Sequence, residues 1–241
     1  LQDNGPASAV IIGASGGIGA ALEEALLDEG EFTQVHGFAR SRSGAQHIDV
    51  TDEASIAAAA EHAAKAAAPP RLVIVATGLL HDKDAGSDHG PEKALRDLDP
   101  AWLARQYAVN AMGPALVAKH FLPIMPRTGR TVFAALSARV GSISDNRAGG
   151  WYGYRASKAA LNMLIRTIAI EDRRRNDRSI VVTLHPGTVD TALSRPFQAN
   201  VAPGKLFTPD RAALQLLDVI EGIKVIDTGK LFDFQGVEIG F

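Results

Sequence analysis

Tyr154 and Lys158 stand four residues apart in the segment Tyr-Arg-Ala-Ser-Lys. On an α-helix that spacing puts the phenol and the ammonium on one face. A free tyrosine titrates near about 10, and a neighbouring positive charge favours its phenolate. Such a pair can trade a proton with a carbonyl or carbinol oxygen near neutral pH. The spacing alone is common on amphipathic helices, so its weight comes from its surroundings. Tyr152 has Ala156 four residues on and lacks an ammonium partner; it reads as cavity wall or packing.

A second group of residues suits a phosphate. Gly13-Ala14-Ser15-Gly16-Gly17-Ile18-Gly19 follows the apolar run 9–12 and opens a helical pattern. Glycines at 13, 17 and 19 allow a tight turn, close approach of backbone to a pyrophosphate, and close helix–strand packing. The helix start then offers free N–H groups and a partial positive charge. At the end of the next apolar segment the chain reads Gly37-Phe38-Ala39-Arg40-Ser41-Arg42, with no acid to hold a ribose 2′-hydroxyl. Arg40 there can pair with a 2′-phosphate and Ser41 can add a hydrogen bond, which points to NADP(H) rather than NAD.

These groups need a scaffold that brings residues from distant parts of the chain to one edge. Strand patterns fall at 9–12, within 32–40, at 46–50, 72–76, 131–136, 179–184 and 231–239. Helical patterns run from the glycines to about Gly30, over 52–68, 91–125 and 152–175, and from Thr208-Pro209-Asp210, where the hydroxyl caps and Pro takes the first position. Alternating strands and helices predict an α/β fold: a doubly wound, parallel seven-stranded sheet in a single domain over 1–241, with its site at the carboxyl edge. No Pro-, Gly- or Ser-rich linker divides the chain, and no solenoid repeat is present.

The bulk numbers agree with one ordinary globular domain. The chain has 241 residues, 46% hydrophobic and 22% charged, with a formal net charge of -2. That balance gives no general reason to bind nucleic acid. There is no cysteine, which excludes thiol catalysis, disulfides and cysteine-held metals. The seven histidines form no ligand set, so no metal is expected. No apolar run is long enough to cross a bilayer, and 1–8 lacks the pattern of a secretory signal, so a soluble cytoplasmic protein is expected.

Taken together, the G-x-x-x-G-x-G loop and the Y-x-x-x-K pair resemble the short-chain dehydrogenase/reductase family, and further positions agree in order. Asp49-Val50 is similar to the family's adenine-contacting pair. Ala76-Thr77-Gly78 stands where many members have Asn-Ala-Gly. Asn110, in Val109-Asn110-Ala111, matches the asparagine that holds a water in the proton relay. Pro186-Gly187-Thr188-Val189-Asp190-Thr191 looks like the P-G-x-V-x-T turn over the nicotinamide. The likeness runs from about Val10 to the last strand.

The resemblance implies a Rossmann-type fold. It implies NADP(H) contacts from Gly13, Ser15, Gly16, Gly17, Ile18, Gly19, Arg40, Ser41, Asp49 and Val50, then Ala76, Thr77 and Gly78. Asn110, Tyr154, Lys158, Pro186, Gly187, Val189 and Thr191 complete that set. The implied catalytic residues are Tyr154, Lys158, which would lower the Tyr pKa and hold the ribose, Asn110, and a serine. The family's Ser-Ser-x-x-Gly is here Ser137-Ala138-Arg139-Val140-Gly141, so the expected hydroxyl falls on Ala138; Ser137 is the chosen replacement and Ser142 the second candidate.

The stretch 79–91 reads as polar and mobile. With Gly149-Gly150-Trp151-Tyr152 it looks like the C-factor and carbonyl-reductase branch. The loop 190–205 would carry Leu193, Phe197 and Val201 as an apolar lid. Trp151 and Phe207 are read as either pocket or core, and His185 as a neighbour of the pocket.

The function expected is reduction of a small carbonyl compound with NADPH, or the reverse alcohol oxidation, by a homodimer or homotetramer. The rival is a non-catalytic NADP(H)-binding regulator of C-factor type. An NAD-dependent epimerase fits Arg40 poorly.

Overall fold

A computed structural model describes residues 5–82 and 89–241 of the chain. Parts of the predicted lead-in (1–4) and of the polar stretch (83–88) lie outside the described residues.

The elements are β1 (Ser8–Ile12), α1 (Gly17–Glu29), β2 (Gln34–Phe38), α2 (Glu53–Ala64), β3 (Pro70–Val75), α3 (Pro100–Tyr107) and α4 (Gly113–Phe121). They continue with β4 (Thr131–Leu136), α5 (Tyr152–Asp172), β5 (Ser179–His185), β6 (Thr188–Val189), β7 (Leu206–Phe207), α6 (Pro209–Gly222), β8 (Leu231–Asp233) and β9 (Glu238–Ile239). The main sheet has seven strands in the order β2-β1-β3-β4-β5-β8-β9, all parallel except the last pair. Every residue of β1, β3 and β4 is buried, because helices cover both faces. Alternate residues serve opposite layers. Val10, Ile12, Val73 and Phe133 pack with Ile56 of α2, Phe121 of α4 and Leu161 of α5. Ala9, Ile11, Ile74 and Val132 pack with Leu22 of α1 and Leu216 of α6.

Two strand expectations are corrected. Residues 46–50 form no strand: a 3-10 turn at Gly44–Gln46 leads into a single bridge between Ala39 and His47. Side chains satisfy this segment instead, with the Ser55 hydroxyl accepting from Asp49 N–H and the Asp49 carboxylate accepting from Thr51 N–H. Residues 231–239 make two strands rather than one. Asp233 accepts from the N–H groups of Gln235 and Val237, Gly236 sits at φ 76°, and β9 returns antiparallel to β8. The sheet therefore keeps seven strands but has an antiparallel edge.

The predicted helix 91–125 starts late. Asp99 caps α3 by accepting from Trp102 N–H, and Pro100 takes its first position. Between α3 and α4 the residues Ala108–Met112 form a π turn. Chain order reverses between β1 and β3, and at such a switch point the carboxyl ends of the strands open a crevice.

Candidate active site

The crevice begins at the loop after β1. Gly13 has φ +94°, where a side chain is strained, and its N–H donates to the Phe38 carbonyl at 2.8 Å. A Cβ at Gly19 would lie 2.2 Å from the Gly13 carbonyl oxygen, so only glycine lets α1 start this close to the loop. A Cβ at Gly17 would meet the Thr191 methyl at 2.7 Å. Gly16 caps α1 without a side-chain bond, leaving first-turn N–H groups directed to the opening.

Three adjoining cavities make one trough along the carboxyl edge. The first, about 330 Å³, is lined by Gly13, Ser15, Gly16, Arg40, Asp49, Val50 and the 76–78 turn. Gly16, Ala76, Thr77 and Gly78 also border the second, about 350 Å³, which reaches Gly17, Ile18, Ser137, Tyr154, Lys158, Pro186 and Thr191. Ser137, Tyr154, Pro186 and Thr191 then border the third, about 480 Å³, with Gly187 and Val189. The predicted residues thus come together except at three positions. Gly19 lies beneath the loop rather than in the trough, Ser41 is exposed outside it, and Asn110 is buried behind the lining.

The two arginines after β2 separate cleanly. Arg42 is committed to Glu23, at 2.9 and 2.5 Å, and to the Gly37 carbonyl at 2.7 Å. Arg40 borders the first cavity with no ion pair among the described residues. Burial pushes the Asp49 carboxyl up, but its bonds to Thr51 and the nearby charges of Arg40 and Arg105 outweigh this and leave it below its ordinary range. Arg105, on α3, borders the same cavity. No motif in the sequence singles it out. The Thr77 hydroxyl is buried with no partner beside the shared part of the trough. An orphaned buried hydroxyl, a cradle that a Cβ would fill and an uncommitted arginine fit a phosphorylated dinucleotide.

Tyr154 and Lys158 lie on α5, both buried, and the ammonium nitrogen is 5.8 Å from the Tyr ring centroid. Lys158 Nζ donates to the Leu136 carbonyl at 2.8 Å. Burial pushes the Tyr154 phenol up to about 12 and the Lys158 ammonium down to about 7. The lowered phenol expected from the pair is therefore absent in the free protein: withdrawal from water outweighs a charge that is itself hard to keep.

Asn110 sits in the π turn. Its Oδ1 accepts from Leu79 N–H at 2.7 Å, and its Nδ2 donates to the Leu79 carbonyl at 2.8 Å and to Ser157 Oγ at 3.1 Å. The side chain thus ties the 76–79 turn to α5. Ser137 borders the second and third cavities, and its hydroxyl donates to Asn162 Oδ1 at 2.8 Å. Ser142 is bound to the Gly240 carbonyl and borders none of the three. Ala138 borders the third cavity.

Leu193, Phe197 and Val201 line the third cavity, as the lid reading expects. Trp151 joins them, its ring 5.2 Å from Phe197, whereas Phe207 is core against Phe234. Tyr152 is exposed and borders no part of the trough. His185 borders the third cavity with Nδ1 buried and unpartnered. Burial first, and then the Arg139 charge against the pull of Asp233, push its ring down to about 4, so it is neutral. Among the described residues no group of His, Asp and Glu could hold a metal, and no helix is long and apolar enough to cross a membrane.

Comparison with known proteins bears on this geometry. A family model described as "Enoyl-(Acyl carrier protein) reductase" matches residues 15–208. The C-signal protein of Myxococcus xanthus is 36% identical over 146 residues, 61% of this chain and 82% of that protein. The 1-hydroxy-2-glutathionyl-2-methyl-3-butene dehydrogenase of Rhodococcus sp. (strain AD45) is 28% identical over 230 residues, covering 92% and 93%. The NADPH-bound carbonyl reductase from chicken fatty liver superposes with a TM-score of 0.80 at 23% identity, covering 98% of this chain and 94% of that one. At that identity the superposition speaks for the fold.

Proposed function

The chain belongs to the short-chain dehydrogenase/reductase family, and on that premise we propose that it reduces a small carbonyl compound with NADPH, or runs the reverse oxidation. The observation that carries this reading is the position of Tyr154, at the junction of the second and third cavities of the trough, with Lys158 behind it.

NADPH, when bound, supplies the hydride. The glycine loop and the α1 start hold its pyrophosphate, and Thr77 takes a hydrogen bond in the middle of the trough. Arg40, aided by Arg105, meets the 2′-phosphate, and no acid follows β2 to repel it. Lys158, whose ammonium donates to the Leu136 carbonyl here, would hold the ribose hydroxyls. Tyr154 holds the phenolic proton that would pass to the carbonyl oxygen as the substrate becomes an alcohol. Ser137 polarises the same oxygen. Asn110 keeps the 76–79 turn against α5 and, through the backbone of its π turn, is the anchor for a water chain that reprotonates Tyr154.

A second copy of the chain suits the exposed Met163 and Ile170, seven residues apart on one face of α5, with Met112 also exposed. A homodimer or homotetramer is the expected form, and sedimentation equilibrium reads it directly.

One observation favours a second reading, a dinucleotide-binding regulator: Ala138 stands where the family's carbonyl-binding serine is expected. The deciding experiment follows oxidation of NADPH spectroscopically against a panel of aldehydes and ketones. Turnover that Tyr154→Phe abolishes supports the reductase. Tight NADPH binding with no turnover on any member favours the regulator.

A further inference from the structure

The third cavity has two chemically distinct parts. One is the apolar wall of Leu80, Trp151, Leu193 and Phe197, packed around Tyr154. The other is a rim of three arginines from the segment between β4 and the first turn of α5: Arg139, Arg147 and Arg155. Their charges are not equally committed. Arg139 is paired with Asp145 at 3.5 Å and with Asp233 at 3.2 Å. Arg155 meets only backbone, its Nε donating to the Gly150 carbonyl at 2.9 Å and its Nη1 to the Val140 carbonyl at 3.4 Å. Arg147 is exposed at the cavity and makes no ion pair or hydrogen bond among the described residues. Asp145 is the one acid that borders the cavity among those residues, and its ion pair is with Arg139 rather than with Arg147 or Arg155.

We propose that the substrate carries an anionic group, a carboxylate in the simplest case, which Arg147 and Arg155 bind while its apolar body lies against Trp151 and Phe197. The inference rests on the reductase reading, since it describes the far end of the molecule whose carbonyl meets Tyr154. The physical argument is one of compensation. Arg155 is half-buried and keeps a guanidinium face without an acid, beside aromatic walls that thin the surrounding water. A guanidinium offers a planar fork to a carboxylate, so two such groups on one rim favour an anion and disfavour a cation. A cavity of about 480 Å³ has room for an aromatic or branched body as well as a charged tail.

The test compares each acid with its methyl ester, which keeps shape and removes charge. The substrates are 4-(4-formylphenyl)butanoate and its ester, at low ionic strength, with NADPH. The expected result is an acid-over-ester preference in kcat/KM of about tenfold or more, carried by KM and shrinking as salt is added. Arg147→Gln lowers that ratio, and Arg147→Glu inverts it, an outcome that misfolding cannot imitate. Arg147→Lys keeps part of the preference. Equal kcat/KM for acid and ester, or a ratio untouched by Arg147→Glu, overturns the proposal while leaving the reductase reading standing. If neither compound is turned over, the reductase reading is left to the carbonyl panel, and calorimetry with 4-phenylbutanoate and its methyl ester decides the anion site separately. Tighter binding of the acid, lost in Arg147→Glu, supports the site; equal binding sinks it.

Discussion

The Lys158 ammonium lies 5.8 Å from the Tyr154 ring centroid, and burial drives the two groups' proton affinities in opposite directions. Both are driven toward neutrality, the phenol to about 12 and the ammonium to about 7. In the free protein, then, the pair is less polar near pH 8 than its residue types suggest. On the proposed function, ribose hydroxyls would give the ammonium a partner and restore its charge.

That has a measurable consequence for stability. Lys158 has a folded pKa of about 7 against an ordinary 10.5, so between those values the unfolded chain binds more protons. Stability from this group therefore rises with pH across that window, with a slope approaching about 1.4 kcal/mol per pH unit. Tyr154, raised from 10.0 to about 12, acts oppositely: above pH 10 the unfolded chain loses its proton first, and stability falls. Urea unfolding of the cofactor-free protein from pH 7 to 9.5 is expected to show the rise in wild type and a flatter profile in Lys158→Met. Parallel profiles in the two proteins would show that the lysine is not desolvated as described.

Arg40 and Arg42 make opposite predictions although only Ser41 separates them. Arg40→Ala removes an uncommitted guanidinium at the first cavity. A charge-assisted pair with phosphate suggests a rise of about 10- to 100-fold in KM for NADPH, with much less change for NADH. Arg42→Ala breaks the ion pair to Glu23 and the bond to the Gly37 carbonyl, so its effect is expected on Tm rather than on cofactor preference. Equal losses for both cofactors in Arg40→Ala would remove the 2′-phosphate role.

These contrasts show what was legible in the sequence. β1, β3, β4 and β5 were readable because strands covered on both faces must be continuously apolar. Residues 46–50 share that look over a short span, but the Asp49, Thr51 and Ser55 side chains take over the backbone bonding that a ladder would need. The 231–239 run hid its turn signal, Asp233-Phe234-Gln235-Gly236, between apolar residues. Tyr154 and Lys158 were visible because helix geometry alone aligns them. The direction of their proton affinities was not, because desolvation depends on what the rest of the chain packs around them. The π turn that points Asn110 at Leu79 has no residue signature, and Arg105 and Arg147 join the trough only through folding.

The glycine loop permits a graded test. Gly19→Ala puts a methyl 2.2 Å from a backbone carbonyl oxygen, which only movement of β1 or α1 can relieve. It is expected to destabilise the protein by several kcal/mol, at least about 2, or to prevent folding. Gly16→Ala meets the same oxygen at 3.4 Å, ordinary contact, and should leave Tm nearly unchanged while weakening NADPH binding. Thermal unfolding and NADPH titration of the two variants separate packing from ligand approach. If Gly19→Ala matches Gly16→Ala in Tm, the close helix–loop contact does not carry the fold as argued.

Ser137 borders both the second and the third cavities, yet its hydroxyl proton is given to Asn162 Oδ1. To polarise a carbonyl it must rotate that proton into the cavity, at the expense of a buried hydrogen bond. Its benefit is thus expected to fall at the low end for an oxyanion donor, with Ser137→Ala lowering kcat by about 100-fold or less. Ala138 borders the substrate cavity directly, so the double variant Ser137→Ala/Ala138→Ser should recover part of the lost kcat. Loss without recovery would mean that the hydroxyl at 137 matters through its bond to Asn162, and Asn162→Leu would then reproduce the loss. Full kcat in Ser137→Ala would show that Tyr154 alone activates the carbonyl.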